Sequence, residues 1–232
     1  KTLSITVPDA LADRLEQFVR DGWVADSEQA VVEALRRFLD SHRPELIERQ
    51  VLEDLDWGLL AGIDPSLTVT DAGPIIHLDE LDCLDLLSDF GELLIPIEVW
   101  DEVVRHRVCL GADRIAGLGG CVVRNPGVPS PRLRALVGSL RLDRGEAAAL
   151  ALMELRGAPL FLCDDAAARL AAESLGFPVH GTIGVLIRSI RRGMRSREQV
   201  LDILRRLPHD STLHVSRELL ATVITRIEQE SK

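Results

Sequence analysis

Five short apolar runs constrain this fold more than any other feature of the chain. They are Leu67-Thr-Val-Thr70, Leu93-Leu-Ile95, Cys121-Val-Val123, Leu160-Phe-Leu-Cys163 and Pro178-Val-His180, with helical patterns between them. Strand–helix alternation of this kind predicts an α/β domain with a mainly parallel sheet and helices on both faces. Binding sites in such sheets form beyond the carboxyl ends of the strands. Asp71 follows the first run, and Asp164-Asp165 follow the fourth.

Two more acids stand at helix starts. Pro96-Ile-Glu-Val-Trp-Asp-Glu102 opens one helix and puts Glu98 and Glu102 on one face. Asp143-Arg-Gly-Glu146 opens another, ahead of an Ala/Leu-rich run. Carboxylates gathered in one place raise one another's pKa unless a cation sits among them. Hard oxygen donors of this type suit Mg²⁺ or Mn²⁺.

The rarer residues exclude several chemistries. Lysine occurs only as Lys1 and Lys232, so there is no P-loop lysine, no Schiff-base lysine and no phosphoacceptor-domain lysine. His77, His106, His180 and His214 have no readable triad partner, and no G-x-S-x-G elbow is present. Cys83, Cys109, Cys121 and Cys163 form neither a C-x-x-C pair nor a zinc pattern. They read as reduced thiols in a cytoplasmic protein. No apolar stretch of about 18 residues exists to span a membrane. The residues from Lys1 to Val7 are too few and too polar for a secretory signal. A net charge of -10 argues against a basic nucleic-acid coat but leaves room for a local basic groove. The densest basic run, Arg188, Arg191, Arg192, Arg195 and Arg197 with Arg205 and Arg206, is either a solvated face or a phosphate-tracking stripe.

The N-terminal third has a different pattern. Residues 2–7 alternate strictly, as a half-buried strand does, and Pro8 ends the run. Leu11, Leu15 and Phe18 mark a first helix; Asp26 with Gln29 resembles a capping box for a second, striped by Val31, Val32 and Leu35. One strand and two short helices are too few to bury their own apolar faces, which predicts a homodimer or a higher homo-oligomer. A third helix, Glu45 to Leu60, carries an apolar stripe of Ile47, Val51, Leu55 and Leu59. It is either a packed linker or a partner-binding segment.

These stretches resemble two families. Leu3 to Leu11 with Asp26 to Leu39 resembles the ribbon-helix-helix antitoxins and repressors, whose paired strands enter the major groove of operator DNA. The resemblance implies that Thr2, Ser4 and Thr6 point at the bases. Residues 1–62 hold 13 acids and 7 bases, however, so phosphate neutralisation would be poor. Asp71-Ala-Gly-Pro-Ile-Ile-His-Leu78, Leu94 to Val103, Gly145 to Leu152, Leu162 to Ala171, Gly181-Thr-Ile-Gly184 and Ser211 to Ser216 resemble, in order, the PIN-domain nucleases of bacterial toxin–antitoxin type.

That resemblance implies a metal-dependent endoribonuclease acting on RNA, with Mg²⁺ or Mn²⁺ held by Asp71, Glu102, Glu146 and Asp164. Asp165 is the neighbouring candidate, and sequence does not separate the two. Arg188, Arg191 and Arg192 are the candidates for phosphate contact. One departure stands out: the family often has a second acid two residues after the Gly-Glu glutamate, and here that position is Ala148. The expected organisation is a ribbon-helix-helix module at 1–42, a linker or antitoxin-like helix at 43–65 that could restrain the nuclease in cis, and a PIN-like domain at 66–232. A transcriptional regulator, or a catalytically weakened scaffold, is the alternative.

Overall fold

The computed structural model describes residues 4–41, 43–60, 65–107 and 109–230. The chain divides into two compact units, Lys1–Pro44 and Glu45–Lys232.

The smaller unit contains two helices, α1 (Asp9–Arg20) and α2 (Ser27–Ser41). Local signals account for both. Pro8 stands at the N-cap of α1. Asp26 Oδ1 accepts from Gln29 N at 2.7 Å, and Gln29 Oε1 accepts from Ala25 N at 3.1 Å, a near relative of the expected capping box. Phe18 and Trp23 stack at 6.0 Å. Burial is what this unit lacks: α1 buries no residue, and Leu11, Phe18, Trp23 and Leu35 all remain substantially exposed. The strand expected over 2–7 is not formed over residues 4–7, and Ile5 and Val7 are exposed. Among its described residues this unit offers no second strand, and a ladder needs one. Thr2 and Leu3 lie outside the described residues.

The larger unit opens with α3 (Pro44–Leu59). After it run β1 (Leu67–Thr70), α4 (Ala72–Glu80), a 3-10 segment (Leu84–Phe90), β2 (Glu92–Pro96), α5 (Ile97–His106), α6 (Ala112–Ala116) and β3 (Gly120–Val123). The remainder is α7 (Pro131–Leu140), α8 (Arg144–Arg156), β4 (Leu160–Leu162), α9 (Ala166–Leu175), β5 (Val179–His180), α10 (Thr182–Arg191), α11 (Arg197–Asp210) and α12 (Arg217–Gln229). No helix among the described residues is long and apolar enough to cross a membrane.

All five strands pair in parallel, in the order β3-β2-β1-β4-β5, and helices flank the sheet. This is the expected α/β fold. The central strands are buried, which is why they read as continuous apolar runs instead of alternating ones. Val69, Leu93, Ile95, Phe161 and Leu162 are fully buried. Where β1 needs a polar residue, Thr68 satisfies its hydroxyl on Phe90 O at 3.3 Å. The chain builds outward from β1 through β2 to β3, then returns to β4 on the other side of β1. The crevice between β1 and β4 is therefore the topological switch point, where ligands bind in open α/β sheets. Asp71 and the Asp164-Asp165 pair sit there, at adjacent strand ends.

Candidate active site

Each acid reaches the crevice for a local reason. Asp71 is the N-cap of α4, its own N–H bonded to Leu162 O at 2.8 Å, so the carboxylate lies over the β1–β4 junction. Glu102 sits in the second turn of α5. Glu146 belongs to a complete capping box: its Oε2 accepts from Asp143 N at 2.8 Å, and Asp143 Oδ1 accepts from Glu146 N at 2.9 Å. Gly145 between them allows a close approach. A Cβ there would lie 3.3 Å from Asp143 Oδ1 and 3.5 Å from Glu102 Oε2, so both carboxylates face the same bare α-carbon.

The electrostatics show which acids face one another. Burial pushes Asp71 up to about 7; the Ala72 N–H opposes this, and repulsion from Asp143, Glu102 and Asp165 adds to it. Burial likewise drives Glu146 up to about 9, with Asp165 and Asp143 adding repulsion. Glu102 is raised by burial and by Asp143, while nearby His106 and Arg105 pull it the other way. Behind Asp71 lies Cys163, whose sulfur is 3.8 Å from Asp71 Oδ2 and whose burial keeps it a neutral thiol.

Asp164 and Asp165 have different roles in this arrangement. Asp164 accepts from Thr182 N at 2.7 Å and Thr182 Oγ1 at 2.6 Å, and His77 Nδ1 lies 2.8 Å from its Oδ2. Burial alone would raise its pKa, but the His77 and Thr182 bonds outweigh burial and hold it below the ordinary value. His77 is affected in the opposite sense: burial disfavours its charge, yet the Asp164 contact wins and raises its pKa. Asp165 is the N-cap of α9, its Oδ1 accepting from Ala167 N and Ala168 N at 2.8 and 2.9 Å. It is also the member of the pair that repels Glu146 more strongly than any other charge does.

The structure thus brings together Asp71, Glu102, Glu146 and Asp165, and turns the Asp164 carboxylate toward His77 and Thr182. Asp143 is an addition that sequence reasoning did not select, because a D-x-x-E pattern at a helix start reads as a cap. Ala148 is buried and supplies no donor.

The arginine run is mostly committed elsewhere. Arg188 is only 1% exposed, 2.7 Å from Asp89, and lies over the rings of Trp57 and Phe90. Arg192 also pairs with Asp89 at 2.6 Å, Arg195 pairs with Asp85 at 2.7 Å, and Arg191 reaches Gly58 O. Arg188 belongs to the interior and is out of reach of a phosphate backbone. Ser4 and Thr6 are exposed in the smaller unit.

The donor set fits a hard divalent cation: five carboxylates, three of them with raised pKa. Among the described residues, however, no three His, Cys, Asp or Glu side chains are arranged to close around one ion.

No curated protein matches the chain. A family model described as PIN domain matches residues 67–229, which takes in every strand, the crevice and all of the acids above. With that match spanning most of its length, the chain belongs to the PIN-domain family and carries a nuclease-type domain.

Proposed function

We propose that this protein is a metal-dependent endoribonuclease of toxin–antitoxin type, fused to its own antitoxin-like module for dimerisation and DNA binding. The observation that carries the reading is the gathering of Asp71, Glu102, Asp143, Glu146 and Asp165 about the β1–β4 crevice, where burial first and mutual repulsion second raise the pKa of Asp71, Glu102 and Glu146. A site that holds its carboxylates at raised pKa is disfavoured without a counter-charge, and Mg²⁺ or Mn²⁺ supplies one.

Asp71, Glu102, Glu146 and Asp165 would hold the metal, with Asp143 standing in for the acid that Ala148 omits. Bound there, the ion would supply an activated water and charge stabilisation for the leaving oxygen of a phosphodiester. The carboxylates orient the ion and do not attack. Asp164, clamped by His77 and Thr182, fixes the turn that aims Asp165. Buried Cys163, against Asp71, would exclude water from behind. Arg105 and His106, exposed on α5 beside Glu102, would meet RNA phosphates. The smaller unit, with its apolar side chains uncovered, would pair with a second copy, its residues 2–7 forming the ribbon. A cytoplasmic location and operator DNA as a weak partner complete the reading.

The test is cleavage of single-stranded RNA by the full chain with and without Mn²⁺. Cleavage should need Mn²⁺ and be lost in Asp71→Asn. A catalytically weakened scaffold is the second reading, favoured by Ala148 and by the open arrangement of the carboxylates. Mn²⁺ binding with no cleavage would select it.

A further inference from the structure

Helix α3 lies outside the residues the family model covers, 67–229, yet inside the larger compact unit. Its buried face holds a charged side chain: Asp54, 1% exposed. The Asp54 carboxylate accepts from both terminal nitrogens of Arg169, at 2.7 and 2.8 Å, and Arg169 is itself 3% exposed. Asp54 Oδ2 also accepts from Gly181 N at 3.0 Å, and His180 Nδ1 lies 3.0 Å from Oδ1.

Two carboxylates from distant parts of the chain therefore grip the start of α10. Asp54 takes the Gly181 N–H, and Asp164 takes the Thr182 N–H and hydroxyl. The grip closes on one bare α-carbon: a Cβ at Gly181 would fall 2.5 Å from Asp164 Oδ1 and 3.0 Å from both Arg169 Nη1 and Asp54 Oδ2. The rest of the helix is seated as tightly. A Cβ on Gly58 would meet Ile187 Cβ at 2.7 Å, Trp57 stacks on His180 at 4.1 Å, and Leu55 is fully buried. Beside Asp54, Asp164 and Arg169 lies a small cavity of about 30 Å³, room for water and little else.

A detachable inhibitor would be built differently, because its release would strand the buried Arg169 charge and expose Leu55. On the reading of the carboxylate crevice as the nuclease site, we propose that α3 is a resident part of that site, with Asp54 its positioning residue. By holding Arg169 and the first turn of α10, Asp54 sets the Thr182 groups that clamp Asp164. Asp164 in turn fixes the β4–α9 turn from which Asp165 faces Asp71 and Glu146.

The test uses the full chain in two variants. Asp54→Leu with Arg169→Met replaces the buried pair by apolar side chains of similar volume, a change that folds tolerate, but it leaves the Gly181 N–H unheld. Asp54→Asn keeps the shape and serves if the double variant does not fold. Three readouts apply: hydrogen exchange at the Gly181 and Thr182 amides, Mn²⁺ affinity, and the split of RNA cleavage into kcat and KM. The folded variants should exchange both amides faster and bind Mn²⁺ roughly 10- to 100-fold more weakly, the range for residues that orient metal ligands. Their kcat should fall while KM holds. A folded variant with unaltered amide exchange and Mn²⁺ affinity would overturn the proposal. If the unsubstituted chain neither binds Mn²⁺ nor cleaves RNA, the nuclease reading fails instead. The amides then decide alone: faster exchange upholds the role of Asp54 in setting the turn, and unaltered exchange refutes it.

Discussion

The two units use the same local grammar with opposite results. Both have well-formed helices with recognisable starts: Asp26 and Gln29 open α2 much as Ser196 and Gln199 open α11. In the larger unit such helices cover a sheet, and residues such as Leu55, Phe161 and Leu186 lose all contact with solvent. In the smaller unit Trp23 stays 72% exposed and Leu35 44% exposed. Caps and periodicity specify where a helix starts and which stripe is apolar, but they supply no second layer. A second layer needs either more chain or another copy.

The contrast breaks most readily at the buried pair of the larger unit. Removing one partner, as in Arg169→Ala, leaves Asp54 buried and uncompensated, and the cost should be about 3–5 kcal/mol, read as a lower denaturant midpoint. A midpoint within experimental scatter of the parent would show that water reaches the pair. Gly181→Ala comes next. Its methyl would meet two carboxylates, so a cost of roughly 1–3 kcal/mol is expected, the range for overpacked sites; an unchanged melting temperature would mean that α10 can shift aside.

The pH response separates the units without any substitution. Folded Asp71 ionises near 7 against an ordinary 3.8, and Glu146 near 9 against 4.5. Over those windows the folded state keeps protons that the unfolded chain has released, so these acids add stability at low pH and withdraw it as pH rises. The metal-free larger unit should therefore lose stability from about pH 4 to pH 9, and Mn²⁺ should flatten the slope. A flat profile would show that the crevice is wetter than it looks, and a slope of the opposite sign would show that these acids are stabilised in their charged form. Asp71→Asn should leave stability level or raise it.

The smallest effect on folding is expected in the smaller unit. Leu35→Glu should change the unfolding of the larger unit by less than about 0.5 kcal/mol, as surface substitutions do. If the proposed dimer forms through this unit, sedimentation should nonetheless show the variant as a monomer. A monomeric mass for the unaltered chain at micromolar concentration would dismiss the paired-ribbon reading.

How far this was legible in the sequence follows from the range of each interaction. The five strands were, because three or four buried residues in a row leave a local mark. The positions of Asp71 and Glu146 at element starts were legible too, because strand ends and caps leave a local mark, whereas Glu102 lies mid-helix. Asp164 and Asp165 were inseparable because the strand ends at Leu162 and its alternation with it. Which acid turns inward is set by His77 and Thr182, remote in sequence. The arginine run illustrates the same limit. Its charge is local, but the acids that absorb it, Asp85 and Asp89, lie about a hundred residues earlier. Asp54 looked like one more charge on a charged helix, since its partners Arg169 and Gly181 are more than a hundred residues away.

The central claim is that the crevice acids, held at raised pKa by burial and by one another's charge, receive a divalent cation. Calorimetric titration of Mn²⁺ into the full chain near neutral pH, repeated in buffers of different ionisation heat, tests it most directly. Binding should release protons, chiefly from Glu146 and Asp71, so the observed heat should change with the buffer, and Asp71→Asn should bind more weakly. Absence of binding, or binding whose heat is the same in every buffer and survives Asp71→Asn, would contradict the account.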